Sequence, residues 1–405
     1  MSTLKVNAIR GTGASSDAIS VNSTDGTCTA KITNRSSNLI INGSMICSQR
    51  GTSGSGAYGY YSVDRWYNFN NGLDENPTIA QADVASSTSP YNLGFRKSLK
   101  VTNGNQTSGA GTSDQTFIST TLEAQDIANS GWNYTSTSSY ITLSFWVKAS
   151  VAQTYYGFLK APDGSNYIYP YSFALSANTW TKVTKTIAGN SNLQFDNDNG
   201  AGLEVGFYLF LGTDLTASGV SLDTWAAYSG GTTRTPDQTS TWYTTNDSTF
   251  EITGVQLEVS DHATDFEHRS FGDELHRCQR YYVEYDADLF QDTLIFPGAS
   301  RAGTVKFFTV QLPNSMRGDP TVTRTGYTRV INADEHNSGD SSADSLAVGG
   351  VTPSTQLIGT PTGSGDKVSF YYTGTMSNVD NTNNAVYMLM FVSETGSQLT
   401  FDAEL

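Results

Sequence analysis

Charge is scarce in this 405-residue chain: only 15% of residues are charged, and 23 basic side chains face 38 acidic ones. The formal net charge of −15 comes with no basic cluster to neutralise phosphates. That excludes a nucleic-acid partner and argues against docking on an anionic membrane. Long apolar runs are missing as well. The longest, 385–392, has eight residues, against the roughly 20 that a membrane-spanning helix needs. The opening Met1-Ser2-Thr3-Leu4-Lys5-Val6 lacks the apolar stretch of a secretory signal, so the expectation is a chain made in a cytoplasm without conventional export. Cysteines number only three, Cys28, Cys47 and Cys278. They are far apart and odd in number, so no disulfide framework or CxxC metal site can be built, and they read as small buried fillers.

What the chain does have is 12% aromatic residues in a background rich in Gly, Ser, Thr and Asn. A disordered chain would reverse that balance; this is the profile of a folded all-β protein. The length suggests two to four domains. All six tryptophans, at 66, 132, 146, 180, 225 and 242, precede the last 163 residues, which points to domains of different character. At the joint, Ser270 and Asp273 form a capping box, and Phe271, Leu275, Cys278 and Tyr282 share one helical face.

Elsewhere the period is two. Ile141, Leu143, Phe145 and Val147 share a face, as do Leu203, Val205, Phe207, Leu209 and Leu211. Phe308, Val310 and Leu312 form a third set, and Val368, Phe370 and Tyr372 a fourth. Such alternation marks half-buried antiparallel strands. After Phe250 and Ile252 the apolar set changes phase to Val255, Leu257 and Val259, and Gly254 at the switch predicts a β-bulge. Gly/Ser/Asn stretches at 51–59, 103–114 and 335–350 read as loops. Residues 1–34 carry too few apolar side chains for a core and read as an arm ordered by a partner.

Motifs for catalysis are absent: there is no GxSxG, HExxH or GxxxxGK[ST]. Gly54 to Gly59 matches GxGxxG without the flanking strand and helix that a dinucleotide needs. His262, His268 and His276 are spaced by six and eight, not by the i, i+4 of a helical metal pair. Asp196 and Asp198 could offer oxygens to calcium but lack the loop spacing and terminal Glu of an EF-hand. Acidic residues suggest no glycosidase pair, and Arg317-Gly318-Asp319 reads as a chance turn. The expectation is a non-enzyme without cofactors, a structural calcium at Asp196 and Asp198 being the one option.

Aromatic rings stack on the C–H faces of sugars while neighbouring polar groups bond the hydroxyls. Tyr58, Tyr60, Tyr61, Trp66 and Tyr67 cluster around Asp64 and Arg65. Trp225, Tyr228, Trp242 and Tyr243 flank the polar loop 229–241, and Trp146 points to the polar face of its strand. Tyr60, Trp225, Trp242 and Tyr243 are the candidate glycan-binding rings because they sit beside polar loops. The competing role for any one ring is core or trimer-interface packing, and Trp66 reads as core.

The stretch 38–52, from Asn38 to Thr52, followed by Ser62-Val63-Asp64-Arg65-Trp66, resembles the opening of a jelly-roll domain in phage tail-fibre proteins. Residues 252–258, then 264–269 and 278–282, resemble its closing strand and exit segment. Residues 1–6 are similar to virion-attachment arms of marine, particularly cyanobacterial, phages, and 402–405 have the same character. The resemblance is carried by 1–10 and 38–282 and implies a jelly roll like those of carbohydrate-binding modules, which often hold a structural calcium. Thr253-Gly254 stands where such modules commonly place an acidic residue. These motifs are framework residues and assign no ligand contact.

The resemblance implies an all-β homotrimeric fibre of a phage virion, made in the host cytoplasm. It comprises an arm (1–34) joined to a tail or adaptor protein, a jelly-roll β-sandwich (35–262), a connecting helix (263–285) and a second β-sandwich (286–405). The expected function is attachment to host surface glycan by non-covalent, multivalent recognition. The alternatives are a structural fibre or decoration protein without a receptor, and a glycan depolymerase, which usually rests on a solenoid repeat that this sequence lacks.

Overall fold

A computed structural model describes residues 8–10, 19–21, 24, 26, 28–30, 38–231, 234–286, 294–302, 305–325, 328–332, 367–373, 386–391 and 398–405. The loop expected at 335–350 and much of the arm at 1–34 lie outside them. Within the arm, β1 (Ala8–Ile9), β2 (Ile19–Val21) and β3 (Cys28–Ala30) form a small antiparallel sheet.

The following region is the expected antiparallel sandwich. In chain order it contains β4 (Ser53–Ser55), β5 (Tyr58–Gly59), β6 (Tyr67–Asn71), β7 (Thr78–Asp83), β8 (Lys97–Thr102), β9 (Gln115–Glu123), β10 (Tyr140–Ala149), β11 (Gln153–Ala161), β12 (Tyr167–Leu175), β13 (Thr181–Ala188), β14 (Ala201–Leu211), β15 (Ala226–Ala227) and β16 (Thr249–Glu258). Short helices α1 (Ser89–Asn92), α2 (Ala124–Ala128) and α3 (Thr241–Thr244) interrupt them. One sheet runs β13-β10-β16-β8-β7-β4 and the other β15-β12-β11-β14-β9-β6-β5. Strands β4 and β5 belong to different sheets, so the glycine-rich stretch 51–59 bridges the two layers, and no helix follows it to hold a pyrophosphate.

Alternation fills the core as expected from Ile141, Leu143, Phe145 and Val147 and from Leu203, Val205, Phe207 and Leu209, all buried between the sheets. Trp66 is buried with them, its ring 6.2 Å from Phe207. Two bulges re-phase the pattern. Between Ser144 and Trp146 of β10 the register on β16 jumps from Gln256 to Thr253, and Gly254 adopts φ +62°. The inserted residue returns Val255 and Leu257 to the same core as Phe250 and Ile252, rather than to the other face. On β14 the register slips between Tyr208 and Phe210. Phe210 therefore enters the core while Leu211, expected on the inner face, joins a cluster outside it.

The motifs at 38–52 and 252–269 turn out to close the sandwich. The Asn38 side chain accepts from Leu257 N at 3.0 Å and donates to Val255 O at 3.1 Å. Asn42, in the left-handed region at φ 57°, donates to both Cys47 O and Asp64 O at 2.9 Å. Glu258 accepts from Thr264 N and Oγ1 at 2.9 and 2.7 Å, which ties the exit segment to the closing strand.

The connecting helix α4 (Phe271–Cys278) begins where expected, with Ser270 accepting from Asp273 N at 3.2 Å. Its buried face differs. Cys278 and Tyr282 are buried as expected, but Phe271 is 59% exposed and Leu275 only half-buried, while Glu274 and Tyr281 are buried. Tyr282 already belongs to β17 (Tyr282–Asp286). A carboxylate can face inward because Glu274 accepts from the Asn42 backbone N–H and pairs with Arg269 at 3.5 Å. Cys47 and Cys278 are free and buried, as expected of fillers.

The last region contains β18 (Leu294–Ala302), β19 (Val305–Gln311), β20 (Thr321–Thr325), β21 (Thr328–Asn332), β22 (Lys367–Thr373), β23 (Val386–Phe391) and β24 (Gln398–Asp402). They form a β17-β24-β20 sheet and a β21-β23-β18-β19-β22 sheet, with Phe308 opposite Phe370 and Val310 opposite Val368. The tail after β24 returns to the jelly roll. Arg317, from the RGD tripeptide, donates to Ala403 O at 2.7 Å, Asn199 O at 2.9 Å and Glu404 O at 3.0 Å. That arginine is a clamp between the two regions, not a chance turn.

Candidate functional site

The four rings expected to face solvent do not form a site together. Trp242 and Tyr243 lie on α3 with exposures of 0% and 1%. The Trp242 indole donates to Thr249 O at 3.1 Å. Tyr243 stacks on Phe210 at 4.4 Å and its hydroxyl donates to Asp114 at 2.9 Å; burial first, and then that carboxylate, push its pKa well up. Trp225 is buried against Tyr169 at 5.5 Å, its indole donating to Ala188 O at 2.9 Å. Tyr60 donates to Leu405 O at 3.0 Å and meets Tyr67 edge-on at 5.3 Å. Trp225, Trp242 and Tyr243 sit beside polar loops because they anchor those loops to the core, and an anchoring ring is buried; Tyr60 is only half-buried and is held by the Leu405 carbonyl.

Asp196 and Asp198 are exposed before β14. Asp198 accepts from Gly200 N at 2.8 Å and Asp196 from Gln194 Nε2 at 3.1 Å. Among the described residues, no group of three or more His, Cys, Asp or Glu is placed to hold a metal.

The outer face of the seven-stranded sheet has a different character. On β6 the usual phase is inverted. Asn68 and Asn70 are buried while Tyr67 and Phe69 point outward and are half-exposed. Asn70 donates to Gly56 O at 2.8 Å and accepts from the Thr116 hydroxyl at 2.7 Å, whereas Asn68 donates to Gly56 O at 3.4 Å and its side-chain oxygen has no partner among the described residues. Register then lines up outward rings across five strands. Tyr58 pairs with Phe69, Phe69 with Phe117, Phe117 with Tyr208, and Tyr208 with Tyr156.

Tyr58 and Phe69 lie 6.4 Å apart with planes 27° apart, and Phe69 and Phe117 lie 5.1 Å apart with planes 14° apart. Near-parallel rings in contact at about 3.5–4 Å between planes must be laterally offset at those centroid distances, and Phe69 and Phe117 are both partly exposed. Tyr58, at the free end, is 67% exposed. At the other end Phe117 meets Tyr208 and Phe158 edge-on at 5.7 and 6.0 Å. There Leu215, after β14, and Tyr228, after β15, pack over Phe158, Ile168, Tyr208 and Leu211. Polar groups border the row: Lys160 pairs with Glu204 at 3.6 Å and lies 5.0 Å from the Tyr228 ring. The result is a ramp of ring faces flanked by fixed donors and acceptors, open at Tyr58 and walled at Tyr228. Reading outward aromatics as a set would have found it, since Phe69 and Phe117 occupy the same phase on neighbouring strands.

No family model and no curated protein matches the chain. Among solved structures, it is similar to a putative sugar binding protein from Bacteroides thetaiotaomicron at 14% identity and TM-score 0.29, covering 55% of this chain and 100% of that one. The N-terminal cellulose-binding domain of a Cellulomonas fimi β-1,4-glucanase gives 14% and 0.26, covering 54% and 100%. A family 11 carbohydrate-binding module from Clostridium thermocellum, in complex with a β-1,3-1,4-mixed-linked tetrasaccharide, gives 10% and 0.26, covering 52% and 98%. At these identities and TM-scores the likenesses carry no argument about a ligand.

Proposed function

We propose that this chain is a phage virion fibre protein that attaches to the host surface by binding glycan, without cleaving it, on the ramp from Tyr58 through Phe69 to Phe117. The observation that carries the reading is the inverted phase of β6, which puts amides inside and rings outside. Burying polar side chains while leaving rings in water opposes stability, and departures from the local rule belong to functional surfaces. A row of half-open rings bordered by Lys160 and Glu204 suits a chain of pyranose units, whose C–H faces stack while their hydroxyls bond the polar rim. The resemblance of 1–10 and 38–282 to tail-fibre proteins supports the virion setting, with residues 1–34 joining a tail or adaptor protein and three copies assembling into the fibre.

The test is an array of bacterial surface polysaccharides probed with the full chain and with Phe69→Ala. Retention by wild type and loss in the variant supports the reading. Retention of no glycan favours a structural fibre, and release of reducing ends favours a depolymerase.

A further inference from the structure

On the opposite side of the sandwich, the outer face of β10 carries a second aromatic feature. A cleft of about 260 Å³ opens between that face and the exit segment 264–268, with Trp146 on the strand side and Phe266 and His268 on the other. Its second wall is a packed triad. Phe95 lies 4.9 Å from Phe266 and 5.0 Å from His268, and those two rings are 5.0 Å apart. The His268 ring Nε2 is 2.8 Å from Leu93 O. A carbonyl only accepts, so Nε2 carries the proton and, in the neutral ring, Nδ1 is left as an acceptor. The floor is Gly254 at the bulge, where a Cβ would come within 2.6 Å of the Phe95 ring. The cleft therefore exists because the bulge and its glycine let Phe95 settle beside the strand.

Two charged side chains line this cleft. Lys182 stands directly opposite Trp146 in the ladder. Asp265 is fixed through its backbone carbonyl, which accepts from Gln256 at 3.3 Å. Both side chains are exposed, and among the described residues neither joins an ion pair. Lys182 offers three donors and Asp265 up to four acceptor sites. An indole ring with an unpaired ammonium and an unpaired carboxylate beside it matches a ligand with one apolar face and several hydroxyls. The volume lies below the roughly 300–1,000 Å³ of pockets for drug-sized molecules, so it fits one ring and not a chain.

We infer that this cleft is a second, independent sugar site that takes a single neutral pyranose unit, stacked on Trp146 with its hydroxyls shared between Lys182 and Asp265. The inference goes beyond the ramp on the seven-stranded sheet and stands whether or not that ramp binds. With both sites working, each chain would grip glycan from two faces, and avidity would rise without any new contact.

The experiment is a titration of the full chain with methyl glycosides of glucose, galactose, mannose and N-acetylglucosamine, followed through the tryptophan indole N–H resonances, with Trp146 assigned from Trp146→Phe. The expected result is saturable movement of the Trp146 resonance by at least one glycoside at millimolar concentration. Binding should weaken fivefold or more in Trp146→Ala, Lys182→Ala and Asp265→Ala and be unchanged in Phe69→Ala. If Trp146→Ala does not fold, the two exposed-charge variants carry the test alone. The inference is overturned if no glycoside moves the Trp146 resonance, if Lys182→Ala and Asp265→Ala bind like wild type, or if Phe69→Ala abolishes the effect.

Discussion

Arg65 and Glu404 lie 339 residues apart in sequence and form an ion pair in which both side chains are almost wholly buried. The Arg65 guanidinium also lies 3.4 Å above the Tyr281 ring. Beside it, Arg50 bonds Glu404 at 3.3 Å and Asp402 at 3.2 Å. Glu123 takes a forked pair of bonds from Arg280, both 2.7 Å, and one from the Tyr281 hydroxyl at 2.6 Å. Burial alone would raise the Glu123 pKa, but these bonds outweigh it and hold the carboxyl below its usual range. The chain end thus completes a polar core that belongs to the jelly roll.

Removing one partner of such a pair leaves a buried charge uncompensated. Glu404→Ala is expected to destabilise the protein by about 3–5 kcal/mol, read from urea unfolding of the full chain. A loss under about 1 kcal/mol would mean that the tail merely rests on the sandwich.

Asp64 gives a pH dependence with a definite sign. Burial, partly offset by Arg50 and by hydrogen bonds from Gln49, raises its pKa to about 6. The folded state therefore holds this proton more tightly than the unfolded chain does. The stabilisation is complete below about pH 4 and is lost as pH rises through 6. The stability of wild type minus that of Asp64→Asn should fall by about 3 kcal/mol between pH 4 and 7. A constant difference would contradict the burial of an ionisable carboxyl there.

The two kinds of ring should separate cleanly. Trp242→Ala is expected to cost about 3–5 kcal/mol, as for a fully buried aromatic. Phe69→Ala, losing a half-exposed stacking partner, should cost about 0.5–1.5 kcal/mol. Equal losses in thermal unfolding would make Phe69 a packing residue.

Gly254 has φ +62° and the Phe95 ring against it. Gly254→Ala should cost at least about 1–3 kcal/mol from backbone strain alone. Unchanged denaturant unfolding would show that the bulge is not required.

The trimer expectation is checked by light scattering at micromolar concentration. A mass three times 43.6 kDa is expected, and the single-chain mass would contradict it.

Much of the fold was legible because alternation survives wherever one face is buried. Ile141 to Val147 and Leu203 to Leu209 lie in the core as their spacing implies, and Gly254 marked a bulge. What misled were places where polarity and burial part company. Trp242 sits on a short helix in a Thr-rich stretch yet is buried. Asn68 and Asn70 look like solvent positions yet lie inside, Asn70 held there by Gly56 and Thr116. Phe271 looked like a core residue, while Glu274 took that place partly through the backbone N–H of Asn42, more than 200 positions away in sequence, which no local pattern reveals. The Arg65–Glu404 pair is hidden for the same reason.

The most direct measurement is calorimetric titration of the full chain with the polysaccharide that it retains on the array, in parallel with Tyr58→Ala, Phe69→Ala and Trp225→Ala. Each exposed ring should supply on the order of 1 kcal/mol. Tyr58→Ala and Phe69→Ala should therefore each weaken binding about fivefold or more with the fold intact, while Trp225→Ala lowers stability but leaves affinity in the folded fraction unchanged. Undiminished affinity in Tyr58→Ala and Phe69→Ala would contradict the account.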